Sequence, residues 1–597
     1  MNTNSYGEED AFKLTPNNEV YKSGEGATME ADHHYDVADT ERGFAKTGTY
    51  LDALISEDLK SGKFTRPICT RFPPEPNGFL HIGSAYAIHL NYATALAFGG
   101  TFHLRFDDTN PLKEDISYVE SIKEDIEWLG YSPDGHIYYG SDYSEQIYAA
   151  AMRLIERGKA YVCDLPPSEL ARTRGTLTEH GTDSPYRNRT AEENLRLFAE
   201  MRKGFYPDGT RVLRAKIDMH SPNINLRDPV LYRIIHASHY RTGEEWCIYP
   251  MYDFAHPIQD AIEGITHSLC SAEFKDHRPL YEWVLSELEI VEPPRQWEFG
   301  RININGAVTG KRYLRQLVEA GLVEGWDDPR LPTISGLRRR GFTPESIRDF
   351  VSGIGLARQQ TMADISLLEH ALRQDLKAKV PGIMAVIEPL KVIILNYPEG
   401  EEELLTIENN PVNEEMGVRE VVFSRELYIE REDFMETPVK GFHRLSPGVE
   451  VRLKGAYFIR CNEVVRDGLT GDIIEIHCTY DPRTKSGSGF NERKVKGTIH
   501  WVAAHKAMEC ELHLYDGLLL PDAELGREGE DWEAWINPNS HRVVSKALIE
   551  PCVRDYELGG RFQFIRHGYF ILSSVSGATG EKYVFNRIVS LKDSWKK

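Results

Sequence analysis

Apolar and polar positions follow two different periods between residues 64 and 130. The strand-like run TRPICTRF leads into the Pro/Gly-rich stretch PPEPNG, and LHIGSAYAIHLNYATALAFG then has the length and apolar content of a helix. TFHLRF alternates apolar and polar residues as a strand does. The apolar residues of the next segment step by three or four, as on one helix face: Ile116, Val119, Ile122, Ile126 and Leu129. This order predicts a Rossmann-like parallel α/β sheet.

The pattern changes further along the chain. Residues 142–251 are irregular around the loop TRGTLTEHGTDSPYRNR, residues 302–380 have helical periodicity, and GVEVRLKGAYFI, IIEIHCTY and VKGTIHWVAA alternate like the short strands of barrels or sandwiches. We therefore expect a flexible extension over 1–63 with a short helix near its end, a Rossmann-like domain from 64–141 and 252–301, an insertion at 142–251, a helical subdomain at 302–384, and two β-barrels at 385–597.

Composition narrows the class of protein. The chain is 41% apolar and 27% charged, as globular proteins are, and its net charge is −22. Acidity lowers the expectation of a nucleic-acid partner without excluding one, because affinity depends on where the basic residues lie. The sequence has no apolar run of about 18 residues, and its first residues lack a basic and then apolar pattern, so we expect neither a transmembrane helix nor a secretory leader. Its eight cysteines are scattered without a CxxC pair. This favours a reducing cytoplasm and no membrane.

The stretch PPEPNG carries the first chemistry. The carboxyl ends of parallel strands meet at one edge of a sheet, so this loop and Asp107-Asp108 are expected to lie together there. A helix that follows such a loop offers free backbone N–H groups and a positive dipole end to phosphate. His81, in the first turn, can donate a hydrogen bond to phosphate oxygens as they gain charge. An isolated histidine in a turn is more often structural, but the whole string argues against that alternative.

RFPPEPNGFLHIG, at residues 71–83, resembles the HIGH-motif region of the class I aminoacyl-tRNA synthetases, most closely their glutaminyl branch. The similarity runs from about residue 65 to the C-terminus. It includes LRFDDTNPLKED, RGTLTEHG, WCIYPMYDFAH, ITHSLCSAEF, EGWDDPRLPTISGLRRRG and VFNRIVSLKDSW, in that order. The resemblance implies an enzyme that ligates glutamine to its tRNA through an aminoacyl-adenylate, using ATP with Mg²⁺ on the triphosphate.

The resemblance also implies roles for individual residues. His81 and Lys311 would be catalytic, Asp107 would bind the α-ammonium of the amino acid, Tyr252 would contact its side chain, and Arg71 would stand near the same pocket. Taken alone, a carboxylate, tyrosine or serine of this kind is as readily a surface ion pair, a core aromatic or a helix cap. The implied ATP site comprises Glu75, Pro76, Asn77, His81, Ile82, Gly83, Ser84, Ala85, Tyr86, Ala87, Ser271, Arg301, Ile302, Thr309, Gly310 and Lys311.

Contacts with tRNA are implied in two regions. The insertion resembles an acceptor-stem-binding domain, where Leu177 would wedge open the first base pair and Asp276 would accept a hydrogen bond from a base amine. The alternative for Leu177 is packing on its own domain. The barrels resemble anticodon-binding domains, and Arg452, Lys454, Lys494 and Lys496 suit an RNA platform. We expect a monomer that binds tRNA, glutamine and ATP. No His/Cys cluster indicates a metal held by the protein.

Two signatures depart from the family pattern. Ser84 replaces the second histidine of HIGH, and the KMSKS loop appears as TGKRYL, with Thr309 for methionine, Gly310 for serine and Lys311 retained. Loss of one such donor typically costs about 10²–10³ in rate, unless Tyr86 or a backbone amide compensates. GAVTGKR is not a Walker A loop, because only three residues separate its glycines.

Two alternatives remain beside the glutaminyl enzyme. One is a glutamyl-tRNA synthetase of the archaeal or eukaryotic type, against which ITHSLCSAEF and WCIYPMYDFAH argue. The other is a tRNA-binding pseudo-synthetase, suggested by the two altered signatures.

Overall fold

The computed structural model describes residues 49–133, 135–520, 532–576 and 582–591. The described residues divide into two compact units: the first comprises those up to 303 with 351–363, and the second comprises 304–350 with those from 364 onward. Within the described ranges, no helix combines the length and the apolar character needed to cross a bilayer.

The first unit alternates helices and strands over most of its length. Its helices are α1 (Tyr50–Lys60), α2 (Ile82–Ala97), α3 (Ile116–Trp128), α4 (Ser144–Glu156), α5 (Pro167–Arg174), α6 (Ala191–Arg202), α7 (Tyr252–Ile262) and α8 (Arg278–Glu287). Its strands are β1 (Cys69–Phe72), β2 (Thr101–Phe106), β3 (Ile137–Tyr139), β4 (Ala160–Cys163), β5 (Val212–Ala215), β6 (Val230–Ile234), β7 (Ile248–Pro250), β8 (His267–Ser271) and β9 (Arg295–Phe299).

The expected parallel sheet is confirmed. Strands β1, β2 and β3 lie in that order and pair in parallel, with Cys69 opposite Thr101 and Leu104 opposite Ile137. A second parallel pair is formed by β8 and β9. Four of the five apolar positions expected on α3 are buried, but Ile116, the first residue of the helix, is 55% exposed.

The segment expected to be irregular contains a regular subdomain. Strands β4 to β7 form an antiparallel sheet in sequence order, and α4 and α6 pack on it through Leu154 and Phe198. The strands are only three to five residues long. Such strands are too short to show a clear period of two. The loop expected around RGTLTEHG is present, since no helix or strand lies between residues 175 and 190.

The end of the expected N-terminal extension is packed. Helix α1 has a capping box at Thr49, and it buries Leu51 and Ile55. Asp58 on the same helix is buried and pairs with Arg295 on β9. The short helix near the end of the extension is therefore present and belongs to the first unit, while residues 1–48 lie outside the described residues.

The chain from 302 to 377 is largely helical, as expected. It contains β10 (Ile302–Ile304), α9 (Lys311–Glu319), α10 (Ile334–Arg340), α11 (Pro344–Ile354), β11 (Thr361–Ala363) and α12 (Ile365–Lys377). The basic string ISGLRRRG is helix α10 closed by Gly341 in the left-handed conformation. Arg340 at its end is half-buried and donates to the carbonyl of Ile588 at 3.0 Å.

The rest of the second unit consists of two seven-stranded sheets and a separate hairpin. The strands are β12 (Gly382–Ile383), β13 (Ala385–Val386), β14 (Pro389–Ile394), β15 (Glu402–Glu408), β16 (Val418–Ser424), β17 (Glu426–Glu430), β18 (Glu450–Leu453), β19 (Phe458–Arg466), β20 (Ile473–Asp481), β21 (Thr498–Ile499), β22 (Trp501–Ala503), β23 (Met508–Tyr515), β24 (His541–Ile549), β25 (Arg561–Phe564), β26 (Gly568–Ser576) and β27 (Lys582–Val589).

Both sheets curl into nearly closed barrels. One sheet has the order β21-β18-β19-β20-β14-β17-β22, and its two edge strands are joined through the single residue His500. The other has the order β12-β25-β26-β27-β23-β24-β13, and Met384 alone joins its edges. Edge strands joined by one residue must lie side by side, so each sheet returns on itself. The two barrels expected from the strand pattern are therefore present. We call them barrel 1 (389–503) and barrel 2 (382–386 with 508–589).

Candidate active site

The carboxyl ends of four strands in the first unit lie along one edge. Strand β8 runs beside β1 in the same direction, because the N–H of Thr266 donates to the carbonyl of Cys69 at 3.0 Å while the Arg71 guanidinium reaches the carbonyl of Leu269 at 2.9 Å. The segments that follow β1, β2, β8 and β9 therefore meet at this edge, which is where α/β sheets bind ligands.

The PPEPNG loop is held by backbone hydrogen bonds to neighbouring segments. The N–H of Asp107 donates to the carbonyl of Pro74 at 3.0 Å, and the N–H of Asp115 donates to that of Pro76 at 3.1 Å. The amide of Asn77 donates to the carboxylate of Glu75. Glu75 is exposed, Asn77 is half-buried and Pro76 is buried. The loop therefore presents polar side chains at the edge while its backbone is fixed.

His81 begins the helix that follows the loop. As N-cap of α2 it accepts the N–H of Gly83 on Nδ1 at 3.0 Å, and the hydroxyl of Ser84 accepts the N–H of His81 at 3.3 Å. A neutral imidazole that accepts on Nδ1 carries its proton on Nε2. The residue is thus prepared to donate from Nε2 beside the positive end of the helix.

Gly83 is required by the position of this imidazole. A Cβ on Gly83 would lie 2.8 Å from Cε1 of His81, and it would approach the carbonyl of Ile302 to 3.6 Å. The ring of His81 therefore folds directly over residue 83. The first turn of α2 also lies next to the segment after β9, where Ile302 was expected to contact ATP.

The other expected ATP residues of α2 are packed to different degrees. Ile82, Ala85 and Tyr86 are buried, while Ser84 and Ala87 are half-buried. The hydroxyl of Tyr86 donates to the carbonyl of Gly355 at 3.0 Å, and its ring contacts Phe299 edge to face. Since the hydroxyl already has this partner, we do not assign Tyr86 the compensation for Ser84. Its ATP contact stays a prediction, as do those of Ile82, Ala85 and Ala87.

The two carboxylates at the end of β2 differ in how many hydrogen bonds they accept. Asp108 accepts the N–H and the hydroxyl of Ser141 at 2.7 and 2.8 Å and the hydroxyl of Tyr240 at 3.0 Å. Asp107 accepts the hydroxyl of Thr109 at 3.2 Å, and burial raises its pKa to about 7 despite the nearby Arg105 guanidinium. A buried carboxylate of this kind is stabilised by a cation, so Asp107 is suited to an ammonium group.

A buried ionic network lies behind the edge. The carboxylate of Asp260 on α7 accepts from Arg71 Nε at 3.1 Å, from Arg105 at 2.8 Å, and from the hydroxyls of Ser268 and Tyr281 at 2.8 and 2.9 Å. These contacts hold the pKa of Asp260 well below its ordinary value, although burial alone would raise it. Arg71 is fully buried in this network. It therefore supports the residues of the expected amino-acid pocket from behind, through Asp260 and His256.

The network extends to Tyr252 through a histidine. His256 lies between the guanidiniums of Arg71 and Arg105, and burial together with these cations lowers its pKa well below the ordinary value. The ring of Tyr252 stacks on that neutral imidazole with centroids 4.8 Å apart and touches Phe274 at 5.3 Å. The ring orientation of Tyr252 is therefore set by packing, as a specificity residue requires.

Ser271 and Arg301 converge on a residue that the sequence did not single out. The hydroxyl of Ser271 at the end of β8 donates to Glu273 at 3.0 Å, and Arg301 after β9 donates to the same carboxylate at 2.7 Å. Both side chains of the Arg301–Glu273 pair are about half exposed. Because an exposed pair of this kind is weak, the phosphates of a nucleotide can compete for Arg301.

Comparison with known proteins gives the family. The catalytic-domain model of the tRNA synthetases class I (E and Q) matches residues 67–378, and two anti-codon binding domain models of the same family match 380–481 and 498–573. The glutamine–tRNA ligase of Clostridium perfringens is 57% identical over 550 residues, which cover 92% of this chain and 99% of that protein. That of Nitrosomonas europaea is 53% identical over 551 residues, covering 92% and 98%.

The chain belongs to the class I tRNA synthetases of the E and Q type. The family and its glutaminyl branch, expected from the sequence strings, are thereby confirmed.

In this synthetase a buried arginine holds the loop that carries Leu177 by hydrogen bonds to the loop's backbone. Nη1 of Arg227 donates to the carbonyls of Arg174, Thr176 and Glu179 at 3.1, 2.8 and 2.8 Å. Leu177 projects from this loop with 83% of its surface exposed. It does not pack on its own domain, which leaves the wedge role as the remaining expectation.

Asp276 lies on an exposed turn just before α8. Its carbonyl accepts from the amides of Asn223 and Asn225 at 2.7 and 3.1 Å. These bonds fix the backbone of the turn and leave the carboxylate at the surface. Hydrogen bonding to a base amine stays a prediction that this geometry permits.

The altered KMSKS loop belongs to the second unit. Gly310 is the N-cap of α9 and Lys311 is its first residue, with Thr309 half-buried before them. A Cβ on Gly310 would meet the ring of Tyr313 at 3.1 Å. The ring of Tyr313 therefore lies close to the place that a side chain at residue 310 would take, which favours glycine there. The ATP contacts of Thr309, Gly310 and Lys311 stay predictions.

The basic residues expected on the barrels differ in their availability. Arg452 donates to the carbonyl of Thr484 and the hydroxyl of Ser486, and its guanidinium lies 4.3 Å from the ring of Phe458. Its guanidinium is therefore engaged in contacts within barrel 1. Lys494 and Lys496 are exposed and remain candidates for RNA contact.

Proposed function

We propose that this synthetase activates glutamine with ATP and transfers it to a glutamine-accepting tRNA. The observation that carries the proposal is the hydrogen bond by which Asp107 holds the loop that leads into the His81 turn, with the oriented ring of Tyr252 as further support. A phosphate-binding helix start beside a buried carboxylate provides for a nucleotide and an amino acid at neighbouring positions.

The reaction requires two displacements. The carboxylate of glutamine attacks the α-phosphorus of ATP, which enters with Mg²⁺ as substrate, and pyrophosphate leaves. A ribose hydroxyl of the terminal tRNA adenosine then attacks the acyl carbon, and AMP leaves. His81 donates from Nε2 to the charge that develops on phosphate, Asp107 holds the α-ammonium, and Lys311 neutralises charge on the triphosphate. Neither step needs a protein-held metal.

The anticodon-binding barrels and the exposed Leu177 support tRNA as the macromolecular partner. All eight cysteines are free thiols, which supports function in a reducing cytoplasm. We propose a monomer, since one chain contains the residues for all three substrates.

Charging assays test the proposal. We expect tRNA to be charged with glutamine and not with glutamate, and we expect Lys311→Ala to lower the rate by about 10²–10³. Lys123→Ala is the matched control, because Lys123 pairs only with Glu120 at the surface of α3 among the ion pairs of the described chain. A preference for glutamate would indicate a glutamyl enzyme. Binding of tRNA and ATP without charging would indicate the pseudo-synthetase that Ser84 and Gly310 suggest.

A further inference from the structure

One carboxylate and two imidazoles converge where barrel 1 meets barrel 2. Glu430 is the last residue of β17, His500 is the single residue that joins the edge strands of barrel 1, and His567 lies in the turn between β25 and β26 of barrel 2. Their ligand atoms all lie within 4.8 Å of one another. None of these residues takes part in the proposed reaction.

The distances within this cluster suit a small tetrahedral ion. Glu430 Oε1 lies 2.9 Å from Nε2 of His567 and 3.6 Å from Nε2 of His500. An ion with bonds of about 2.0–2.1 Å to nitrogen and oxygen in tetrahedral arrangement separates its ligands by roughly 3.3–3.4 Å. The two distances lie on either side of this value, so small side-chain shifts suffice.

The buried ring of His500 is a second observation, independent of these distances, that points to a bound ion. The residue is 1% exposed, and within the described residues neither Nδ1 nor Nε2 of its ring has a hydrogen-bond partner. Buried polar atoms in folded proteins almost always have partners, so an unpaired imidazole needs an explanation. Nε2 faces the carboxylate of Glu430, and an ion between them would satisfy it.

Neighbouring groups orient the carboxylate of Glu430, and the cation nearest to the cluster is neutralised by its own partner. Glu430 accepts the N–H of Ile387 on Oε1 at 2.5 Å and that of Glu388 on Oε2 at 3.1 Å. Hydrogen bonds of this kind fix a ligand in metal sites. The guanidinium of Arg566, next to His567, pairs with Asp433 at 2.6 Å, so its charge is neutralised locally.

We propose that Glu430, His500 and His567 bind a zinc-type divalent cation that fastens barrel 1 to barrel 2. Imidazole nitrogen with carboxylate oxygen favours Zn²⁺ over Mg²⁺ or Ca²⁺, which prefer sets of oxygen ligands. The side chain of His567 is 17% exposed, so solvent reaches this side of the cluster and a water can serve as the fourth ligand. The ion is structural, since it links the closure point of barrel 1 to a turn of barrel 2.

Metal titration of the full-length, chelator-treated chain tests the proposal without tRNA or ATP. We expect one Zn²⁺ per chain by calorimetry, and with Co²⁺ a visible absorption spectrum of tetrahedral type. His567→Gln should weaken Zn²⁺ binding more than about 100-fold, because loss of an outer-shell partner alone costs roughly 10–100-fold. Zn²⁺ should raise the thermal midpoint of the unmodified chain and leave that of the variant unchanged.

His505→Gln is the matched control. His505 lies in the connection just after barrel 1, and its 44% exposed side chain contacts Glu402, so its loss should leave Zn²⁺ affinity unchanged. Binding that survives His567→Gln with equal affinity, or the absence of stoichiometric binding, would overturn the proposal. His567 lies in a turn, so its variant should fold even if substitution of the buried His500 does not. Because the readout is metal binding, its failure would leave the proposed function untouched.

Discussion

The imidazole of His81 lies directly over Gly83. Nδ1 accepts the N–H of Gly83 at 3.0 Å, and a Cβ on residue 83 would meet Cε1 of the ring at 2.8 Å. The glycine of the HIGS sequence is therefore a steric requirement of the histidine before it. Replacing this glycine with alanine should lower activity more than stability, because alanine is otherwise the better residue for a helix.

We expect Gly83→Ala to displace the His81 ring and to lower tRNA-dependent pyrophosphate exchange by about 10²–10³, the cost typical of losing one transition-state donor. Gly353→Ala is the control, since Gly353 lies in helix α11 with open space around its Cβ. That variant should keep full activity and gain about 0.5–1 kcal/mol in free energy of unfolding. Equal exchange rates for the two variants would contradict the proposed role of His81.

Asp107 should make the ligand-free chain less stable above neutral pH. Its pKa is raised from the ordinary 3.8 to about 7 by burial, so the unfolded chain loses this proton first as the pH rises. The stability that the protonated group provides is complete below about pH 4 and is lost as the pH rises through 7. A change of this size corresponds to roughly 4 kcal/mol at most.

We therefore expect Asp107→Asn to raise the free energy of unfolding at pH 8, to have little effect near pH 4, and to lose glutamine activation. Urea unfolding across this range measures the first two effects. In the unmodified enzyme, kcat/KM for glutamine should rise with pH through about 7 as Asp107 ionises. The raised pKa of Asp107 would be contradicted if the substitution changed the free energy of unfolding by the same amount at pH 8 as at pH 4.

Leu177→Ala should impair charging without affecting folding. Opening a terminal base pair costs a few kcal/mol, so loss of an apolar wedge should lower kcat/KM for tRNA by about ten-fold or more. A tRNA transcript with a mismatched first pair should restore the rate, because the pair is already open. Leu469→Ala, at a 98% exposed leucine in a hairpin of barrel 1, serves as control. If the mismatch gives no rescue, Leu177 does not act as a wedge.

Asp260→Asn should destabilise the first unit strongly. The substitution leaves the buried guanidiniums of Arg71 and Arg105 without their shared carboxylate, and breaking a buried pair in this way costs about 3–5 kcal/mol. Because the pKa of Asp260 is lowered in the folded chain, its stabilisation is present at neutral pH and is lost in acid. Glu120→Gln, at a surface pair, should cost no more than about 1 kcal/mol in urea unfolding.

Local sequence patterns determined a large part of this protein. The alternation in TFHLRF, the helical steps from Val119 to Leu129 and the Pro/Gly loop before His81 each predicted the element that is observed. These features depend on residues close together in the chain, where period and propensity act directly. The ordered strings also determined the family. The strands of the insertion were missed because they are too short to show a period.

Only the tertiary structure decided which side chains are available. Asp107 and Asp108 are equivalent in sequence, but Ser141 and Tyr240 occupy only Asp108. Glu273, Asp260 and Arg227 gave no sequence signal, because the arginines that pair with Glu273 and Asp260, and the carbonyls that accept from Arg227, come from distant segments.

The same holds for Glu430, His500 and His567, which carry no metal-ligand spacing and meet only because barrel 1 closes through His500 beside a turn of barrel 2. Burial and partner choice arise from long-range packing, which no local pattern encodes.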